Sequence, residues 1–329
     1  VTAATAPQRT GRLRGAAPTR LPWQAKFLAL VLIWGSSFLL MKVGLRAMAP
    51  LQIAGLRIFS GTLILLALLR LAGGRLPRGR GTWWHLMVGG VFMAALPFTL
   101  FALGEERVSS ALAGIGNATT PLATVVFALL LLPSESVTRR KVVGVVVGFV
   151  GVLVIAQPWE VAGRPDLIGF GMTLVAGMSY GLGWTYNRRH LAGSDLGGLT
   201  QPAAQLLAAA VEMVLVLVVW SLVRGAAPWT LQPGTAGGSV LLPILAVLAL
   251  GLVGTGIAFS LQFDVVRAAG PTVASTITYV IPVVSVALGA IFLAERLSWP
   301  QYLGAAIVVG AAALTQRHPR VRRASVAGG

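Results

Sequence analysis

The sequence predicts an all-α polytopic membrane protein of ten transmembrane helices, arranged as two inverted five-helix repeats. Three observations predict it. The chain is 56% hydrophobic and only 11% charged, where soluble domains carry roughly 25% charged residues. Apolar runs near the length needed to cross about 30 Å of hydrocarbon recur along most of it. Finally, the chain repeats itself. Pro121 matches Pro282, Asn117 matches Thr278, and Gly90, Phe98 and Leu100 match Gly251, Phe259 and Leu261, all at an offset of 161. Glu135 and Gly144 match Glu295 and Gly304 at 160. A long-period duplication in an apolar chain is the mark of a carrier built from two related halves.

The spans are placed at 26–45, 51–71, 84–104, 109–132, 139–157, 167–187, 202–223, 240–262, 271–293 and 300–315. The first follows Arg9, Arg12, Arg14, Arg20 and Lys26 and precedes Ala47-Met48-Ala49, which imitates a signal-peptidase site. Lys42 and Arg46 stand between run and site, so the segment reads as an uncleaved helix. The second carries Arg57 about one and a half turns inside, and the third ends in Gly104-Glu105-Glu106-Arg107. The fourth and ninth are centred on prolines, and the fifth and tenth are dotted with glycine. Glu212 lies near the middle of the seventh, and Pro300 opens the tenth. The expected organisation is a basic tail (1–25), a first repeat (26–157), an external linker (158–166), a second repeat (167–316) and a basic tail (317–329).

The net charge of +17 invites a nucleic-acid reading, and its distribution removes it. With ten spans and both termini on one side, that side holds 19 of the 26 Lys and Arg residues, and Arg57 lies within a span. The other side holds six: Lys42, Arg46, Arg107, Arg164, Arg224 and Arg296. Such asymmetry orients membrane helices, so cytoplasmic N- and C-termini in the cell membrane are expected, and the charge is topological. The lipid bilayer is the expected macromolecular partner. Arg139-Arg140-Lys141 follows the first repeat's glutamate, whereas Trp299-Pro300-Gln301 follows the second's. Similar helix pairs with opposite basic loading belong in opposite orientations, as five spans per half also requires.

Trp34-Gly35-Ser36-Ser37-Phe38 with Lys42, Arg57 early in the second span, and Ala294-Glu295-Arg296-Leu297 followed by Gly304 resemble the EamA-type carriers of the drug/metabolite transporter superfamily. The resemblance covers roughly 26–316. It implies secondary transport of small metabolites, often export of amino acids or related solutes. Two departures stand out: Leu132-Pro133-Ser134-Glu135-Ser136 breaks the small-Glu-Arg turn, and Glu105-Glu106-Arg107 replaces an apolar-aromatic stretch.

Candidate substrate contacts follow from what hydrocarbon forbids. A mid-helix proline deprives the carbonyl four residues earlier of its donor, so Pro121 and Pro282 kink their helices and free the carbonyls of Asn117 and Thr278. Unpaired carbonyls at membrane depth line a wet cavity or another helix. Thr120, Thr276, Tyr279, Phe98, Phe259, Gln262, Tyr180 and Trp184 are the neighbouring polar and aromatic candidates for an amphipathic pocket holding a small-molecule substrate. Glu212, Arg57 and Lys42 are candidate coupling or gating charges. A mid-span carboxylate must be neutral, paired or facing water, and Arg57 and Lys42 alternatively snorkel or anchor at the interface. Gly144-xxx-Gly148 and Gly177-xxx-Gly181 allow close helix approach, within the chain or in a homodimer.

Other function classes find little support. No GxxxxGK[ST] motif or cysteine occurs, and His85, His190 and His318 sit at span ends or in tails. Direct ATP drive, thiolate metal sites and intramembrane catalysis lack their residues, and no cofactor is implied. A passive channel or membrane sensor on the same fold is the alternative to a carrier.

Overall fold

The computed structural model describes residues 21–133, 138–157, 165–192, 194, 196–229, 231, 239–269 and 277–316. Within them every regular element is helical, with no strand. The helices are α1 (Trp23–Gly44), α2 (Pro50–Leu71), α3 (Arg80–Glu105), α4 (Ser110–Leu131), α5 (Arg139–Ala156), α6 (Leu167–His190) and α7 (Thr200–Arg224). They continue with α8 (Leu241–Gly251, Leu252–Ile257 and Ala258–Ala269), α9 (Ile277–Leu293) and α10 (Trp299–Gln316). Seven are long and apolar enough to cross a membrane: α1, α2, α3, α4, α6, α7 and Leu241–Gln262 of α8. Val280–Leu293 of α9 is a shorter apolar helix. The protein is therefore a polytopic helical membrane protein.

Local chemistry sets the ends. Pro50 opens α2, where Ala49 N–H donates to Gln52 Oε1 at 2.8 Å. Ser109 Oγ accepts from Leu112 N (3.2 Å) at the start of α4, and Asp166 Oδ1 accepts from Gly169 N (2.7 Å) at the start of α6. Gly225 closes α7 in the left-handed region at φ 62°, at no steric cost. Several helices run past the apolar limits expected from hydropathy: α3 starts at Arg80, α6 reaches His190 and α8 reaches Ala269. The backbone ladder needs no apolar side chain, and interfacial Arg and His keep their polar ends in water while the helix continues.

Two prolines with one expected effect behave differently. In α4 the helix breaks into Ser110–Asn117 and Thr120–Leu131, with Pro121 in the first turn of the second piece. The 3₁₀-type bonds Ala118 N→Ile115 O (3.0 Å) and Thr119 N→Gly116 O (3.2 Å) bridge the break. Pro282 instead sits inside the continuous helix α9.

One feature invisible in hydropathy recurs. π-helical turns interrupt α3 at Val91–Ala95 and α8 at Leu252–Ile257, starting at positions 161 residues apart. Each presents a carbonyl to a neighbouring helix: Ser179 Oγ donates to Phe92 O (2.9 Å), and Trp34 Nε1 donates to Gly254 O (3.1 Å).

Helix α1 packs on α8 and α9, while α6 packs on α3 and α4. α2 packs on α7 and α8, α3 on α7, α4 on α9, and α5 on α10. The glycine faces serve these contacts. A Cβ on Gly151 would stand 3.0 Å from Gly304 O, and one on Gly304 would stand 2.7 Å from Gly151 O. Cβ atoms at Gly177 and Gly181 would stand 3.0 Å from Gly116 O and 2.7 Å from Thr124 N. The outward faces are apolar as well. Val211, Val214, Leu215, Val218, Val219 and Leu222 form an exposed stripe on α7, the surface a lipid-facing helix requires.

Candidate functional site

A cavity of about 140 Å³ lies between the two groups of helices. That is roughly ten times the space a single water needs. From α1–α4 it is lined by Trp34, Ser37, Phe38, Arg57, Met93, Phe98, Phe101, Asn117 and Thr120. From α6, α8 and α9 come Tyr180, Trp184, Gly254, Thr255, Phe259, Gln262, Thr278 and Ile281. The matched pairs Phe98/Phe259 and Asn117/Thr278 thus meet in one cavity. So do Thr120, Tyr180, Trp184, Gln262 and Arg57.

Arg57 is the only cation and the only formally charged group among these residues. It is buried, with Nε donating to Thr255 Oγ1 at 3.2 Å and its guanidinium carbon 3.6 Å from the centroid of the Phe98 ring. Aromatic face and hydroxyl together hold the planar fork in place, which a lysine could not reproduce. Phe101 links two other walls, 5.4 Å and edge-on to Phe38 and 6.1 Å from Tyr180 by ring centroids. Thr120 Oγ1 is buried and has no hydrogen-bond partner among the described residues. Aromatic walls, amide and hydroxyl groups and one fixed cation suit a small amphipathic solute presenting an acceptor or anionic group. No group of three His, Asp or Glu that could hold a metal ion occurs among the described residues.

The cavity continues into a chamber of about 450 Å³ that shares Met93, Phe98, Trp184, Phe259 and Gln262 with it. This chamber reaches the α6–α7 connection at Leu196, Gly197 and Gly198, and Asn187 and Gln205 line it. Their side-chain amides pair reciprocally at 3.3 and 3.2 Å.

The opposite end is closed. The Glu295 carboxylate accepts from Ser110 N (2.8 Å), Ser110 Oγ (2.9 Å) and Ala111 N (3.1 Å), capping the start of α4. Ala294, at φ 53°, turns the chain out of α9, and Glu295 N donates to Gly289 O at 3.1 Å. Lys42 Nζ donates to the backbone carbonyls of Glu105 and, at 2.9 Å, Val108. Above these contacts lies a vestibule of about 560 Å³ lined by Lys42, Leu45, Arg46, Glu105, Glu106, Leu293 and Glu295. Glu106 is at the rim, where partial desolvation holds its carboxyl above the ordinary value despite Arg107 and Lys42. Asp166 lies lower than usual, first because Gly169 N–H donates to its carboxylate.

Other sequence candidates fall elsewhere. Lys42 lines the vestibule and not the cavity. Glu212 is half-buried on α7, and neither carboxylate oxygen has a hydrogen-bond partner among the described residues. A Cβ on Gly90 of α3 would stand 3.4 Å from its Oε1, so it sits between α3 and α7, away from the lining residues. Pro121 and Pro282 shape their helices without lining the cavity. Glu135, Thr276 and the Tyr279 side chain lie outside the described residues.

Sequence reasoning missed Thr255, Met93 and Gly254, which reach the cavity from the π-helical turns and carry no motif of their own. Trp34, Ser37 and Phe38 were visible as a motif, but nothing in it indicated a cavity wall.

A helical membrane protein with a solute-sized cavity between two sets of helices falls in the class of membrane transporters. The chain belongs to the EamA-like transporter family, which matches residues 21–157 and 167–317. It is similar to the uncharacterized inner membrane transporter YedA of Escherichia coli K12, 29% identical over 89% of this chain and 90% of the relative. A protein of the same organism named as a probable amino-acid metabolite efflux pump is 25% identical, over 86% of this chain and 90% of its own length. One crystal structure shares the fold, with a TM-score of 0.58 at 22% identity, covering 89% of this chain and 96% of that one. Family and relatives alike indicate a transporter rather than an enzyme.

Proposed function

We propose that the protein is a secondary transporter that exports small organic metabolites, amino acids or related solutes, across the cell membrane by alternating access. The observation that carries this reading is the cavity lined from both sequence halves, with Phe98/Phe259 and Asn117/Thr278 as matched walls. Repeat-built carriers place their substrate at such a junction. The reading treats 26–157 and 167–316 as two inverted five-helix repeats, α5 and α10 included, with both termini cytoplasmic. Helix neighbours support it: exchanging each helix for the one five places along turns α1 on α8 and α9 into α6 on α3 and α4, and leaves the α2–α7, α4–α9 and α5–α10 pairs in place. The π-helical turns at matching positions support it as well.

In this orientation Arg188 and Arg189 are cytoplasmic, so the chamber beside Asn187 and Gln205 opens inward while the Glu295 and Lys42 contacts close the outside. Arg57 receives an anionic or acceptor group of the solute, and the aromatic residues receive its apolar part. The name of the amino-acid metabolite efflux relative favours amino-acid-like cargo.

Counterflow in proteoliposomes with labelled amino acids, purines, sugars and organic cations, with and without a pH gradient, tests the reading. Saturable exchange of one class, abolished by Arg57→Ala, is the expected result. Non-saturable flux would identify a channel instead. Failure of every solute class to exchange, from folded and inserted protein, would remove the carrier reading.

A further inference from the structure

Glu105 is a carboxylate that the cavity does not use. It ends α3, is 0% exposed, and neither carboxylate oxygen has a hydrogen-bond partner among the described residues. It also lines the floor of the outer vestibule. Four residues earlier on the same helix, Phe101 walls the central cavity. Glu105 therefore stands at the partition between the two spaces.

Charged groups face it from the surrounding elements. Lys42 of α1, Arg57 of α2 and Glu295 of the α9–α10 turn act on it electrostatically, and Tyr180 of α6 acts on Arg57 in turn. Arg46 and Glu106 share the vestibule wall. The pairing is unusual in one respect. Lys42 Nζ bonds the backbone carbonyls of Glu105 and Val108, not the Glu105 carboxylate. Among the described residues the ion pairs are Lys26–Asp264 and Arg107–Asp166 only.

Two arrangements compete here. With Lys42 on the carbonyls, α1 is tied to the α3–α4 turn and no cation touches the carboxyl group. An ionised carboxylate at a buried, donor-free position is strongly disfavoured unless a cation or water reaches it. The cation that acts on it most strongly is Lys42, on a flexible four-carbon stem, whereas Arg57 is held by Thr255 and Phe98.

We infer that Glu105 is a proton-binding site that works the outer closure. When Glu105 releases its proton to vestibule water, Lys42 gives up the Val108 carbonyl for the carboxylate, and α1 loses its bond to the segment that leads into α4. Rebinding the proton restores the tie. The inference rests on the transporter reading for its purpose, since it makes the proton the coupling ion, but not for its chemistry. It also assigns the coupling role to a residue at the partition rather than to Glu212, which lies away from both spaces.

The chain has no cysteine, so Ser37→Cys in the wall of the central cavity, beneath the closure, gives one labelling site. The experiment measures its reaction rate with a membrane-impermeant maleimide added outside right-side-out membrane vesicles, against pH. Each rate is divided by that of the same cysteine in a Glu105→Gln background, which cancels the thiol's own titration. The expected ratio rises by about tenfold or more from acid to alkaline pH. Lys42→Gln, which removes the tie itself, should label rapidly at every pH.

Superimposable profiles with and without Glu105→Gln would overturn the inference. So would loss of the pH dependence in Glu212→Gln alone, or slow labelling of Lys42→Gln throughout. Counterflow separates the two levels. Exchange with pH-indifferent labelling rejects the proton site and keeps the carrier. Gated labelling without any exchange does the reverse.

Discussion

Removing the Glu295 carboxylate should destabilise the protein measurably, because that group accepts three hydrogen bonds at the start of α4. Glu295→Ala deletes the acceptor for Ser110 N, Ala111 N and Ser110 Oγ. Ser110 and Ala111 are 0% and 1% exposed, so water reaches their N–H groups only through the space the side chain vacates. Losing an N-cap alone costs about 1 kcal/mol, and each buried donor left unsatisfied costs about 1–3 kcal/mol. Ser109 still caps Leu112 N, and the adjacent vestibule admits some water. The expected loss is therefore about 2–3 kcal/mol, between the cap value and the full desolvation cost. Glu295→Gln keeps an acceptor but loses the charge facing the helix N-terminus, for about 1 kcal/mol.

Thermal unfolding in detergent, followed by tryptophan fluorescence, reads this directly. At roughly 2–4 °C per kcal/mol for a chain of this order of size, the Ala variant should melt about 5–10 °C below the parent, with Gln between them. Combining Glu295→Ala with Ser110→Ala should cost less than the separate losses added together, since the hydroxyl bond is lost only once. An Ala variant melting with the parent would refute the reasoning. Strict additivity with Ser110→Ala would refute the shared bond.

Three further outcomes are expected. Ala294→Gly should raise the melting midpoint slightly, worth about 0.5–1 kcal/mol, because φ 53° suits glycine; a lower midpoint would contradict this. Gly181→Val should collapse expression or folding, since a Cβ there already meets Thr124 N at 2.7 Å, whereas Gly171→Ala, with nothing within 4 Å inside α6, should keep or slightly raise thermal stability. Asp166 binds its proton more weakly folded than unfolded, so its stabilising effect is complete above its ordinary value of 3.8 and is lost as pH falls through the lower folded value. Asp166→Asn should remove that increment of acid dependence from the unfolding midpoint, and an unchanged acid limb would contradict it.

The membrane class, the helix positions and the duplicated prolines were legible because hydropathy and repetition are properties of the chain taken one residue at a time. The long apolar helices expected at 26–45, 51–71 and 202–223 appear as α1, α2 and α7, differing by a few residues at ends where polar turns stay helical. The duplication also flagged Asn117 with Thr278 and Phe98 with Phe259, the pairs that meet in the cavity.

Which face of each helix turns inward was not legible. In a soluble protein the apolar stripe marks the core, but here lipid and protein interior are both apolar, and the stripe loses its meaning. Glu212 and Glu105 are both acids on apolar helices. Only the packing puts Glu212 against Gly90, between α3 and α7, and Glu105 at the partition between vestibule and cavity. Thr255 became the partner of Arg57 through a π-helical turn, a backbone register that no side-chain pattern announces. Composition and repetition determined what kind of protein this is. The rotation of each helix about its own axis, decided by glycine contacts, π-turns and capping between distant segments, determined which residues face the cavity.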